Sequence, residues 1–234
     1  MIYVYKHTWV LPKAKVSNVD NKLYTINGHS YCRVTKTLGI VAKAGLASWY
    51  ARMGTKRAGA VLKNRQGFGT NVHHMFEHIL IRDFKKDAEM KGEMLECYNN
   101  FEVFKKQAKL RPQELEVRLW NDEYGYAGTC DYIGKYTTWK PYCVRGHNRD
   151  FKNELVILDW KTSSNIYDES FLQLAAYAYA FWKLTGIKIA GGAIVQFRNN
   201  RIKIKERDWD ELMALFEVYK SVLILYKWKN KIED

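Results

Sequence analysis

The sequence predicts an α/β domain with a mixed central sheet flanked by helices. Three observations carry that prediction. Residues 114–120 and 126–133 alternate polar and apolar side chains, as half-buried strands do. Residues 154–161, Glu-Leu-Val-Ile-Leu-Asp-Trp-Lys, form an apolar run that ends in charges, the pattern of a largely buried strand. Residues 167–185 then form a strongly apolar helix, stopped by Gly186 and followed by two further strands. Helices, strands, helix, strands and helix in that order describe a sheet with helices packed on it.

Taken along the chain, residues 22–41 read as extended, with a turn at Asn27-Gly28 between two β-prone runs. Residues 42–65, rich in Ala, Lys and Arg, read as helix. A second helix is expected from Thr70, which can cap it, to about residue 86, with Val72, Phe76, Ile79 and Leu80 at helical spacing. Residues 135–153 are polar and aromatic without a period, and read as a long loop or hairpin insertion. Residues 190–197 and 201–205 pair as a hairpin across Asn199-Asn200. A last amphipathic helix starts near Asp208, with Glu211 placed for a capping box and Leu212, Phe216, Tyr219 and Leu223 on its apolar face. No linker-like stretch interrupts the 234 residues. We therefore read one domain, with a basic and helical N-terminal elaboration over 1–90 and the sheet core over 91–234.

Composition narrows the class. A chain that is 47% hydrophobic is globular rather than disordered. Its apolar stretches fall short of the roughly 20 residues a membrane span needs. Residues 1–6 lack the apolar core and cleavage site of a signal peptide, so an intracellular protein with no membrane role is expected. The four cysteines, Cys32, Cys97, Cys130 and Cys143, are scattered and form no CxxC pair, which argues against a disulfide framework. Net charge is +13, and its placement is uneven. Residues 1–70 hold twelve Lys or Arg against one acid, Asp20, which leaves +11 in the first third. Such asymmetry favours a polyanionic partner, nucleic acid above all.

The chemistry centres on Asp159-Trp160-Lys161. Side chains at i and i+2 of a strand share a face, so Asp159 and Lys161 point one way and Trp160 into the packing. A carboxylate beside an ammonium at a strand end suits metal-assisted phosphodiester cleavage. Taken alone, the pair is common at strand ends. Asp131 closes a neighbouring strand and can converge on the same ion. Glu114 and Glu116 lie on the strand before it, and period two does not choose between them. His73 opens the helix after Gly69-Thr70 and can offer a neutral imidazole nitrogen, although His74 and His78 are similarly spaced. Gln173 and Tyr177, four apart, face the same side of the apolar helix.

This ordered set resembles the RecB-like branch of the PD-(D/E)XK nucleases. The resemblance rests on Gly69-Thr70-x-Val72-His73, Glu116, Gly128-Thr129-x-Asp131, Asp159-Trp160-Lys161-Thr162-Ser163 and Gln173-x-x-x-Tyr177. Val34-Thr35, Gly45-Leu46 and Trp49 are similar to the N-terminal segment of such exonucleases, including mitochondrial and phage forms. It covers residues 31–180, and it implies a restriction-endonuclease-like core. It also implies that His73, Asp131, Asp159 and the Trp160 carbonyl hold Mg²⁺ or Mn²⁺, with Glu116 nearby and chosen over Glu114 by the family register. Lys161 would position the attacking water and stabilise charge at the phosphate. Gln173 and Tyr177 would support the site and the DNA, and Thr162 and Ser163 would shape the strand end. Several relatives carry an iron–sulfur cluster on one early and three late cysteines; with no cysteine after Cys143, none is expected here. A zinc site at Cys130, Cys143 and His147 has irregular spacing and little to recommend it.

The expected activity is metal-dependent DNA exonuclease action on single strands or ends, in recombination, replication or repair, in the manner of a phage- or virus-encoded enzyme. Thr35, Thr70, Trp49, Arg52, Lys56 and Arg57 complete the expected DNA-binding set, because aromatics among cations suit a single strand. The rival readings are a non-catalytic nucleic-acid-binding module on the same fold and a structure-specific endonuclease.

Overall fold

The computed structural model describes residues 5–19, 23–41, 46–142 and 150–232. The chain begins with three short antiparallel strands, β1 (Val16–Val19), β2 (Leu23–Ile26) and β3 (His29–Arg33). Asn27 and Gly28 join the last two with φ of 52° and 86°, the left-handed pair that a two-residue hairpin turn requires. The extended reading of 22–41 ends early: Val34–Thr37 is a helical turn, α1, and Leu38–Ile40 is 3₁₀.

Helix α2 (Leu46–Met53) precedes a single long helix, α3 (Thr55–Leu80). This corrects the expected boundary. Thr70 does not cap a second helix; it sits inside α3, and its hydroxyl donates to the Gln66 carbonyl at 3.1 Å. Gly67 and Gly69 weaken a helix, but the buried Ala58, Val72, Met75, Phe76 and Ile79 hold this one in register on both sides of them. Helix α3 also stops at Leu80 rather than near residue 86, where Arg82 turns left-handed with φ 63°. Helix α4 (Gly92–Gln107) follows, and then the sheet core.

Strands β4 (Arg111–Asn121) and β5 (Tyr126–Thr137) form a long antiparallel pair. Strand β6 (Lys152–Lys161) pairs antiparallel with β5. Of the region 135–153, the described residues continue β5 to Thr137, form a 3₁₀ turn at Lys140–Tyr142 and open β6 at Lys152, so its arms are strand; 143–149 lie outside the described residues. Helix α5 (Glu169–Thr185) ends at Gly186, whose φ is 73°, and carries the chain to β7 (Gly191–Arg198), parallel to β6. Asn199 and Asn200, at φ 51° and 52°, turn it into β8 (Arg201–Asp208). Helix α6 (Trp209–Asn230) starts at Asp208 with the expected capping box to Glu211.

The result is an α/β fold with a mixed eight-stranded sheet in the order β1-β2-β3-β5-β6-β7-β8, with β4 on β5. One core lies under α5 and α6 and includes Leu174, Phe181, Phe216 and Tyr219. The other lies under α3 and α4 and includes Phe76, Phe101, Phe104, Trp160 and Phe197. No described helix is long and apolar enough to cross a membrane.

One irregularity places the site. Tyr126 and Ala127 of β5 pair with β3 on one edge and β4 on the other. From Tyr132 onward that first edge belongs to β6. Between them, Gly128 to Asp131 have a partner strand only in β4. The sheet forks there.

Trp160 anchors the fork from behind. Its ring centroid lies 5.5 Å from Phe101, 5.8 Å from Tyr132 and 6.1 Å from Phe76, and Phe76 stacks on Phe101 at 3.8 Å. Replacing Phe101 by Ala removes the middle of this cluster. It should lower unfolding free energy by about 3–5 kcal/mol in urea titrations. A loss below about 1 kcal/mol would show that the aromatic cluster does not hold β6.

Candidate metal centre and active site

The fork opens into a cleft of about 300 Å³. Its walls come from β2 and β3 (Tyr24, Arg33), α1 (Val34, Thr35), α3 (His73), β5 (Gly128, Thr129, Asp131), β6 (Asp159, Lys161) and α5 (Gln173, Tyr177). A larger cleft, about 1400 Å³, lies between the β2–β3 hairpin and α6, but none of the converging titratable groups borders it.

The sheet pleat turns Asp159 and Lys161 toward α5. The Lys161 Nζ lies 2.6 Å from Asp159 Oδ2, a close ion pair. Gln173 joins both groups: its Nε2 donates to Asp159 Oδ1 at 3.0 Å, and its Oε1 accepts from Lys161 at 3.4 Å. Tyr177, one turn on, lies over Gly128 so closely that a Cβ there would stand 2.5 Å from its ring and hydroxyl. Only glycine fits at 128 with this ring in place.

Trp160 contributes its backbone. Its N–H donates to Asp131 Oδ2 at 2.8 Å, and its carbonyl lies 3.0 Å from His73 Nε2. The other imidazole nitrogen, Nδ1, is 3.4 Å from Asp131 Oδ2. Both ring nitrogens thus face acceptors, which suits the doubly protonated ring.

Glu116 completes the cluster. It sits in β4 opposite Asp131, between the Leu115–Tyr132 and Val117–Cys130 pairs, and its φ is 45°. A left-handed non-glycine residue inside a strand is strained, and strain of this kind collects at functional sites. Glu114 is engaged elsewhere, 2.9 Å from His7 Nε2. The fold therefore brings Glu116, and not Glu114, to Asp131.

His73, Glu116 and Asp131 each offer one ligand atom, all within 4.8 Å of one another. Two carboxylate oxygens and an imidazole nitrogen form a donor set suited to Mn²⁺ or Mg²⁺, so the residues fit a divalent ion. Asp159, also expected as a ligand, lies beside this group in the same cleft, in contact with Lys161 and Gln173.

Three carboxylates share this space with one lysine and one histidine, and burial dominates their protonation. Burial, with Asp131 alongside, pushes Glu116 up to about 7. Burial raises Asp159 to about 6 despite Lys161. Burial works against a charged His73, but Asp131 outweighs it and raises the imidazole to about 9. Burial also works against the Asp131 carboxylate, yet His73, Lys161 and the Trp160 N–H hold it below its usual range. Lys161 is half-buried, which works against its charge, and Asp159 and Asp131 keep it charged.

Several neighbours had no signal in the sequence. The guanidinium groups of Arg33 and Arg118 lie 5.1 Å and 5.8 Å from the centroid of the Tyr24 ring, and Arg118 donates to the Thr129 hydroxyl. Arg65 and Arg198 donate to the Thr162 carbonyl at 3.1 Å and 3.2 Å, and Gln196 to that of Ser163 at 2.6 Å, so the chain after Lys161 is clamped. These contacts join segments far apart in sequence. By contrast, Trp49, Thr70, Arg52, Lys56 and Arg57 do not line the cleft. Thr70 and the three cations are exposed on α2 and α3, and Trp49 is half-buried against Tyr50. Cys130 is a buried thiol directed at the Tyr132 carbonyl, and burial raises it well above its ordinary value, so it is a poor zinc ligand. Cys143 and His147 lie outside the described residues.

No family model matches the chain, and no curated protein matches it. Among solved structures the chain is similar to SSO0001, known from a crystal structure, with 18% identity and a TM-score of 0.31. The match covers 60% of this chain and 65% of that one, just under two thirds of its length. A likeness that slight carries no argument about fold or activity.

The strain at Glu116 has a measurable consequence. A left-handed residue with a Cβ costs roughly 1–2 kcal/mol relative to its relaxed backbone, and glycine escapes most of this. In metal-free buffer Glu116→Gly should therefore be more stable than Glu116→Ala by about 1 kcal/mol, the reverse of the usual order in a strand. Urea unfolding of the two variants tests this, and a more stable alanine variant would refute the strained backbone.

Proposed function

We propose that the chain is a metal-dependent nuclease of the PD-(D/E)XK kind, hydrolysing phosphodiester bonds in DNA, with single strands or ends the favoured substrate. The observation that carries this reading is the convergence of His73, Glu116 and Asp131 on one point, beside an Asp159–Lys161 pair in an open cleft. The excess of positive charge in the first third supports a polyanionic substrate.

Glu116, Asp131 and His73 would hold the ion, with the Trp160 carbonyl beside them. A bound Mg²⁺ or Mn²⁺ supplies Lewis-acid polarisation of the phosphate and lowers the pKa of a water. Lys161 Nζ, kept protonated by two carboxylates, serves as a fixed positive charge at the phosphate oxygens rather than as a base. Asp159 and Gln173 aim that ammonium, and the Gln173 amide does so from both sides. Tyr177 walls the cleft over Gly128.

Two experiments test the reading. End-labelled single-stranded DNA with Mg²⁺ or Mn²⁺ should be degraded by the native protein and at least about 100-fold more slowly by Asp159→Ala. Equal rates, or cleavage by neither protein, would refute it; circular single-stranded DNA left intact would mark an exonuclease. The second is pH dependence. Glu116 and Asp159 hold protons below about 7 and 6, and a carboxyl must lose its proton to serve as a ligand or as the counter-charge to Lys161. Apparent Mn²⁺ affinity should therefore rise as pH rises from 6 to 8. Calorimetry near neutral pH should show proton release, because His73, raised to about 9, must also deprotonate to bind. Affinity that is flat across this range would exclude these ligands.

A further inference from the structure

A second cleft, about 680 Å³, opens where the ends of α3 and α4 meet the start of β4. Arg82, Lys105, Lys106, Lys109 and Arg111 border it, with Glu102 the one acid. The selection is not an effect of local composition. Residues 82–111 contain eight basic and six acidic side chains, yet five of the eight and one of the six face this concavity. Glu102 is engaged with Lys105 at 2.7 Å, and Arg82, Lys106, Lys109 and Arg111 are exposed. Like charges gathered around a concave surface concentrate potential and draw in an anion. The C-terminal dipoles of α3 and α4 favour cations here, but they give no reason for Arg111 on β4 or for an aromatic wall. That wall is Tyr5. Its ring lies 5.9 Å from the Arg111 guanidinium and is 43% exposed, and its N–H donates to the Pro112 carbonyl at 2.7 Å. An exposed ring beside a row of cations is the arrangement that stacks a base while pairing phosphates.

The cleft is near the catalytic one. Helix α3 connects His73 to Leu80 over roughly 10 Å at its usual rise. Strand β4 connects Glu116 to Arg111 over roughly 17 Å. That interval spans a few nucleotides of a single strand.

We propose that this cleft is a second nucleic-acid subsite, gripping the backbone phosphates of a single strand a few nucleotides from the bond in the catalytic cleft, with Tyr5 stacked on a base. The identity of the strand rests on the nuclease reading; the binding experiment does not need cleavage.

The test uses the full chain in EDTA with a fluorescent oligothymidylate of about 20 nucleotides, followed by anisotropy over a salt series. The variant is Lys106→Glu with Lys109→Gly. Lys109 has φ 51°, where glycine is at ease, so loss of the side chain leaves the backbone unstrained. The control is Lys229→Glu with Lys231→Gly, which makes the same change of charge at exposed positions after and within α6, with Lys231 at φ 53°. We expect the cleft variant to bind about tenfold more weakly and its salt slope to fall by about 1.4, the loss of two phosphate contacts to a single strand. The control should lose less than about twofold. Equal weakening in both variants, no weakening in either, or no binding by the native protein would each overturn the proposal. Absence of metal-dependent cleavage would instead sink the nuclease reading and leave the binding result standing.

Discussion

The backbone of Trp160 is the constraint on which the rest of the site depends. Its N–H reaches Asp131 and its carbonyl reaches His73, so one residue's backbone fixes a carboxylate from β5 and an imidazole from α3. The same residue sends its indole into the aromatic core on the far face of the sheet. Asp159 and Lys161, its two neighbours, are thereby turned to the near face and meet Gln173. The geometry of five polar groups thus rides on the burial of one large apolar ring. Burial on this scale is worth several kcal/mol, enough to hold charged groups close together.

Those charged groups are not at ease without a cation. Three carboxylates face one ammonium and one imidazolium, and two of the carboxyls respond by holding protons well above their ordinary range. Glu116 adds backbone strain to this imbalance. Packing for stability alone would have replaced these groups by apolar side chains of similar size, which is often neutral or stabilising. Local departures from stability, gathered where ligand atoms converge, are what a binding site for a divalent ion entails. On the reading proposed above, the strain at Glu116 and the raised carboxyls are one feature, relieved together when the ion arrives.

Much of this arrangement was legible in the sequence where one local rule governs it. The two Asn-containing turns, the stop at Gly186 and the capping box at Asp208 follow from left-handed residues and end-capping chemistry. The Asp159-Trp160-Lys161 alternation follows from the pleat. The boundary at Thr70 failed because Gly67, Gly69 and Thr70 are weak helix formers, and the burial that overrides them belongs to tertiary structure. Glu116 and Glu114 share a strand face by period two, so only the family resemblance chose between them in the sequence; the positive φ and the His7 contact that separate them in the structure have no local signature. Tyr24, Arg33 and Arg118 meet at the cleft only because β3 returns beside β5, a pairing between segments nearly a hundred residues apart.

That pairing also explains why the cleft exists at all. Strands β3 and β6 both occupy one edge of β5, and between them Gly128 to Asp131 have no partner strand on that side. An open backbone edge inside a sheet carries unsatisfied polar groups unless something else covers it. Here the chain leaves the sheet as soon as β3 is made, because Val34 begins a helical turn, so β3 cannot extend to close the gap. Tyr177 covers Gly128 and the Asp131 carboxylate takes the Trp160 N–H. The polar site therefore follows from the topology. A sheet shared among three strands at one place leaves a notch, and the side chains that satisfy the notch are the ones the proposed reading assigns to a metal and a phosphate.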